Sequence, residues 1–288
     1  MKLALGTVQF GLDYGVSNVT GRVTAKEAKA ILQCAQTYEI DTLDTAIAYG
    51  DSEAVLGHLG VDNWKTITKL PAVPNDCHNV TQWVHDQIQQ SMTRLGLTQL
   101  YGVLLHRPGQ LLESMGPSLY AALQDLKAQG FTCKVGVSVY EPTELDPLFN
   151  TFSLDLVQAP LNILDRALIK SGWANHLHAS GVELHTRSAF LQGLLLMSPD
   201  QRPAKFNHWL DIWNVWDAWL AREGLSPAEG CLRYVCNLLD IDRVIVGVDN
   251  VSQLCEIAKA SKGQLSSLPE FNSLKDTRLI NPASWSQL

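Results

Sequence analysis

Leu43-Asp44-Thr45-Ala46-Ile47-Ala48-Tyr49-Gly50-Asp51-Ser52-Glu53 is the stretch on which the reading of this chain turns. It begins as a short apolar strand and breaks into a turn. A carboxylate, Asp44, stands at the strand end, and a phenol, Tyr49, follows in the turn. Two more reactive groups repeat this placement: Lys69 near the end of the apolar run 66–70, and His106 directly after the run 100–105.

Outward from that stretch the pattern recurs along the whole chain. Runs at 3–8, 40–45, 66–70, 100–105, 132–138, 154–158, 181–186 and 243–246 read as buried strands, the sixth stopped by Pro160. Segment 9–18 reads as a loop. Helices fill most gaps. Thr24-Ala25-Lys26-Glu27 is written as a capping box, and Ala28, Ile31, Leu32 and Ala35 follow at helical spacing. Val84, Ile88, Met92 and Leu95 mark another helix, Gly130 ends a third, and 165–179 reads as mostly helical. Trp209, Trp213, Trp216 and Leu220 share one helical face, which predicts packing against the sheet rather than a stacking platform. Ser226-Pro227-Ala228-Glu229 is a second capping box, and Asn250 starts the last helix.

Hairpin signals are absent, so the sheet is expected to be mostly parallel. Eight strand–helix units in 288 residues point to a closed (β/α)8 TIM barrel, a single domain over 1–288 with a polar tail from about 264 that lies across the barrel wall or lacks order. The rival, an open doubly wound sheet, carries a glycine-rich fingerprint directly after its first strand; Gly6, Gly11 and Gly15 lack that spacing.

Composition bounds the function. The chain is 46% hydrophobic and 18% charged, enough for one large core, and its net charge of -7 argues against a nucleic-acid surface. None of the six cysteines forms a CxxC pair, and Cys34, Cys133, Cys231 and Cys255 read as small buried hydrophobes, which fits a reducing compartment. Without an apolar span of about 18 residues no membrane helix is expected, and the chain reads as cytoplasmic.

Barrel sites sit at the carboxyl ends of the strands, so Asp44, Tyr49, Lys69 and His106 are expected on one side of the mouth. Taken singly, each has a plainer alternative: a turn cap, a surface lysine, a loop-packing histidine. Taken together they have a chemistry. A charged lysine favours the phenolate over a reference value of about 10, and a carboxylate holds that lysine in place. The tyrosine then gives a proton to a carbonyl oxygen and takes it back in reverse, while a neutral histidine donates a second hydrogen bond. No side chain supplies hydride, so the set implies a nicotinamide cofactor. Other candidates are weaker: His176 and His178 are two apart, so a helix points them in different directions and a zinc pair is not expected, no metal is expected, and His185 could turn into a substrate pocket.

The chain resembles the aldo/keto reductase family. The resemblance rests on Leu43-Asp44-Thr45-Ala46-x-x-Tyr49-Gly50-x-Ser52-Glu53-x-x-Leu56-Gly57 and extends in order through Gly6-Thr7, Lys69, Leu105-His106-Arg107-Pro108, Gly136-Val137-Ser138, Val157-Gln158 and 244–256. Gln9-Phe10-Gly11-Leu12-Asp13-Tyr14-Gly15-Val16 looks most like a bacterial branch associated with surface sugars. The resemblance implies a tetrad of Asp44, Tyr49, Lys69 and His106, with Tyr49 as general acid/base. It implies Ser138 and Gln158 on the nicotinamide carboxamide, and Gly247, Asp249, Gln253 and Glu256 in the segment that grips the adenosine end of NADP(H), with NAD(H) as the alternative. Three departures stand out. Val139 replaces the usual asparagine, Arg187 stands where many members stack an aromatic ring, and the basic residues around a 2′-phosphate are missing.

The expected activity is reversible NAD(P)H-dependent reduction of an aldehyde or ketone, with a sugar as one substrate class, in a protein expected to be a monomer, a dimer being the other possibility. Two alternatives stay open at this stage: a Schiff-base isomerase or lyase using Lys69, and a non-catalytic nicotinamide sensor that binds a partner protein.

Overall fold

The computed structural model describes residues 1–16, 18, 21–271 and 276–288. The expected first loop (at Ser17) and the expected tail (at 272–275) lie partly outside the described residues. In the first half the elements are β1 (Leu3–Gly6), α1 (Val8–Gly11), α2 (Ala25–Thr37), β2 (Thr42–Asp44), α3 (Ser52–Leu59), β3 (Lys65–Leu70), α4 (Val80–Leu95), β4 (Leu100–Leu105), α5 (Gly116–Ala128) and β5 (Thr132–Ser138). There follow α6 (Leu145–Phe149), β6 (Leu156–Pro160), α7 (Ala167–Lys170), α8 (Trp173–Ala179), β7 (Glu183–Arg187), α9 (Leu210–Glu223), α10 (Pro227–Cys236), β8 (Arg243–Gly247) and α11 (Val251–Ala260). The eight strands pair in parallel in chain order and β8 closes on β1, so the sheet is a closed barrel wrapped by helices.

The barrel interior follows from strand alternation, in which every second side chain points inward. Ile67, Leu104 and Leu156 form a fully buried plug inside the barrel. Gly102 and Gly136 leave room for it: a Cβ at Gly102 would lie 3.1 Å from Leu156, and one at Gly136 would lie 1.8 Å from the Leu156 carbonyl oxygen. Two residues beyond the plug, on the same inward face, come Lys69, His106, Ser138 and Gln158. The site layer is thus the next storey of the barrel core.

Several expectations change in detail. β1 ends at Gly6 and Val8–Gly11 is a helical turn rather than loop. Gly11 lets that turn pack against the signature loop, since a Cβ there would lie 1.8 Å from the Tyr49 carbonyl oxygen. β6 runs through Pro160, which pairs with Arg187. The β5 ladder has ended by then, so the missing proline N–H leaves nothing unpaired. The helix expected at 165–179 is broken in two by Gly172, whose φ is +81°.

Thr24 caps α2 through Glu27 N, but Glu27 does not complete the box; its carboxylate accepts instead from Val251 N at 2.9 Å. The box at Ser226 and Glu229 is complete.

Trp213, Trp216, Trp219 and Leu220 of α9 are buried, and the last three pack over Gly230 of α10, where a Cβ would meet each of them within 3 Å. Beyond 264, Leu279 and Trp285 are buried, and the Lys205 ammonium donates to the Trp285 carbonyl, so this part of the tail is fastened down. Of the cysteines read as buried, only Cys231 is; Cys133 is exposed, and Cys34 and Cys255 are partly exposed with sulfurs 3.5 Å apart.

Candidate active site

Each group at the barrel mouth is placed by a strand end. Asp44 ends β2, Lys69 is the next-to-last residue of β3, and His106 follows β4 with its N–H donating to the Leu70 carbonyl. Tyr49 sits in the β2–α3 loop. That loop is held from below by Ser52, whose hydroxyl donates to the Thr7 carbonyl at 2.8 Å. Glu53, the next residue, is buried and accepts from Thr68, Ser91 and Arg94 at 2.6, 2.6 and 2.8 Å. The Ser-Glu pair of the signature is therefore the footing of the Tyr49 loop.

The structure brings Asp44, Tyr49, Lys69 and His106 together. Lys69 Nζ donates to Asp44 Oδ1 at 2.6 Å and to the Thr45 carbonyl at 2.9 Å, and lies 3.4 Å from Tyr49 Oη. The Tyr49 and His106 rings meet edge to face, with centroids 6.0 Å apart. Burial pulls the Lys69 ammonium down, but Asp44 and Tyr49 outweigh it and hold the lysine above its ordinary value. Burial, helped by the Lys69 and Arg187 charges, pushes His106 down to about 4, so its imidazole is neutral at neutral pH.

Behind this cluster Gln158 Nε2 donates to Asp44 Oδ2 at 2.7 Å, and Ser138 Oγ lies 3.4 Å from Gln158 Oε1. Ser138, Gln158, Asp44, Lys69 and Tyr49 thus form one polar chain across the barrel top. Arg187, at the end of β7, lies over the Tyr140 ring at 4.7 Å and donates to the Val139 carbonyl at 3.0 Å. Two departures from the family pattern therefore touch each other.

A cleft of about 440 Å³ opens from Tyr49 and runs along β8 toward α11, a size that suits a small organic ligand. Gly6 and Gly247 give part of its floor bare backbone. The Gln9 carboxamide lies on Gly247, where a Cβ would come within 2.4 Å of it, and Gln9 Oε1 is buried without a partner. Asp249, Gln253 and Glu256 line the far end. Gln253 is folded back, its Oε1 accepting from Asp249 N at 2.7 Å.

His185 is not in the pocket. It is fully buried inside the barrel, with Nε2 2.7 Å from Glu183 Oε1. Inward alternation took it to the core below the mouth. The sequence reading assigned no site role to Thr7, Gln9, Glu27 or Arg94. Their partners lie tens to hundreds of residues away, and no local spacing announces them.

A family model described as the aldo/keto reductase family matches residues 2–275. An oxidoreductase of Leptosphaeria maculans, sirO, is 23% identical over 91% of this chain and 89% of its own. Among solved structures, the glycerol dehydrogenase of Gluconobacter oxydans superposes with a TM-score of 0.72 at 19% identity, covering 92% of this chain and 88% of that one. An aldo-keto reductase of Bacillus halodurans in its holo form superposes with a TM-score of 0.71 at 16% identity, covering 97% and 90%. These structural likenesses concern the fold.

Proposed function

The chain belongs to the aldo/keto reductase family, an oxidoreductase family of NAD(P)H-linked carbonyl–alcohol interconversion, and on that premise we propose that Tyr49 is its general acid/base, with Asp44, Lys69 and His106 around it. The observation that carries this reading is the buried chain from Gln158 through Asp44 and Lys69 to Tyr49 Oη.

The cleft fits a nicotinamide dinucleotide. Part of its floor is bare glycine backbone, Gln9 offers an unpaired acceptor, and Gln158 lines the reacting end with Ser138 Oγ 3.4 Å from its Oε1. Bound there, the cofactor supplies hydride to the carbonyl carbon or receives it in the reverse direction. The protein does the rest. Tyr49 Oη gives its proton to the carbonyl oxygen as charge develops there. The Lys69 ammonium steadies the phenol oxygen while Asp44 and Gln158 fix the lysine. Neutral His106 donates a second hydrogen bond to the substrate oxygen and orients it.

Lys69 does not suit the Schiff-base alternative. A lysine nucleophile needs its amine free and neutral near pH 7. Lys69 is 1% exposed, ion-paired, and held above its ordinary value. A polar rim of Tyr14, Tyr140, Arg187 and Gln192 favours a hydroxylated carbonyl substrate such as a sugar. Rates with free aldoses and nucleotide-linked sugars test that class, and activity confined to small apolar aldehydes would sink it. For the chemistry, turnover followed by nicotinamide absorbance should fall by about 10²–10⁴ in Tyr49→Phe, with dinucleotide binding retained. Unchanged turnover in that variant defeats the assignment, and tight binding with no turnover of any carbonyl by the wild type would leave the sensor reading.

A further inference from the structure

We propose that the far end of the cleft selects a ribose with free hydroxyls and rejects one bearing a 2′-phosphate, so that the enzyme prefers NAD(H) over NADP(H), and that Glu27 and Asp249 enforce the choice. The inference rests on the reading above, which requires a nicotinamide dinucleotide.

The first turn of a helix presents unpaired N–H groups and the positive end of a dipole, and so attracts anions. Asn250, Val251, Ser252 and Gln253 form that turn at the start of α11, beside the cleft. Two of its N–H groups already have acceptors within the chain. Gln253 N donates to Asn250 Oδ1 at 2.9 Å, and Val251 N donates to Glu27 Oε1 at 2.9 Å. Glu27 comes from α2, on the other side of the barrel seam, so a carboxylate of this chain stands where an incoming anion would be drawn.

Two more carboxylates line this end of the cleft. Asp249 is half-buried, its Oδ1 has no hydrogen-bond partner, and burial raises its carboxyl above the ordinary value. Glu256 lines the same end. Among the described residues that line the cleft, Arg187 alone is cationic, and it belongs to β7 rather than to this end. Lys26 and Lys29 of α2 are exposed and outside the lining.

A phosphate of charge about −2 would meet Asp249 and Glu256 in the lining, with Glu27 behind them on the helix N-terminus, and no cationic side chain among the described residues that line this end. A ribose hydroxyl meets the opposite situation. It is a donor, and Asp249, which lines this end, holds an acceptor oxygen that lacks one. Gln9 Oε1 is a second unpaired acceptor along the same wall, kept there by the absence of a side chain at Gly247.

Titration of tryptophan fluorescence with NADH and with NADPH tests this, on the wild type and on Glu27→Gln and Asp249→Asn. Competition by 5′-AMP and by 2′-AMP gives a readout free of turnover. Glu27→Gln keeps an acceptor for Val251 N and removes only charge. The expected result is NADH binding about tenfold or more tighter than NADPH in the wild type. Each variant should narrow that ratio, Glu27→Gln by strengthening NADPH and Asp249→Asn by also weakening NADH. Equal or tighter binding of NADPH overturns the inference while leaving the reductase reading intact. A ratio that neither variant moves, in protein with unaltered circular dichroism, overturns the roles of Glu27 and Asp249. Failure of the wild type to bind either dinucleotide overturns the reductase reading, and this inference with it.

Discussion

Replacing Lys69 with methionine isolates the interaction at the centre of the mouth. The ammonium is 1% exposed, 2.6 Å from Asp44 Oδ1, and 2.9 Å from the Thr45 carbonyl. At an effective dielectric of about 20, that separation corresponds to about 6 kcal/mol of attraction. Desolvation of both charges offsets much of it in the wild type. Removing one partner removes the attraction but leaves Asp44 buried, with Gln158 Nε2 as its remaining side-chain donor. Breaking a buried pair in this way costs about 3–5 kcal/mol, a large share of the roughly 5–15 kcal/mol by which domains are stable.

Lys69→Met should therefore lose about 3–5 kcal/mol in urea unfolding near pH 8. Asp44→Asn with Lys69→Met removes both charges. The double variant should be more stable than the two single losses predict by at least about 1 kcal/mol. A Lys69→Met protein within about 1 kcal/mol of wild type, or a double variant whose loss equals the sum, refutes the argument.

Three further outcomes follow from the same geometry. Because His106 titrates at about 4, the rate of carbonyl reduction should show no imidazole inflection between about pH 5.5 and 8; activity that falls with a midpoint near an ordinary histidine value would contradict its neutrality. Gly11→Ala forces a Cβ to within 1.8 Å of the Tyr49 carbonyl oxygen, and it should cost about 1–3 kcal/mol in thermal unfolding and lower kcat by moving the Tyr49 loop; wild-type kcat would show that the loop gives way freely. Glu53→Gln should weaken the footing of that loop, because one acceptor carboxylate serves Thr68, Ser91 and Arg94; circular dichroism melts and kcat should fall together, and a loss of kcat with an unchanged melt would mean that Glu53 acts directly on the chemistry instead.

The barrel and the members of its mouth were legible in the residues alone, because both depend on local regularities. A strand alternates with period two and a helix with period 3.6, so eight apolar runs separated by amphipathic ones already imply parallel pairing and closure. Position at a strand end places Asp44, Lys69 and His106 at the mouth without any knowledge of their neighbours. What depends on distant partners was decided only by the tertiary structure. Glu27 reads locally as half of a capping box, yet its carboxylate finds Val251 N 224 residues later, because closure of the barrel lays α2 beside α11. Gln158 holds Asp44 across 114 residues, and His185 turns to Glu183 in the core rather than to the cleft. Pro160 can sit in a strand only because the neighbouring ladder has already ended there. Hydrogen-bond satisfaction in a buried layer is a property of what the fold brings within 3 Å, and sequence spacing carries no record of it.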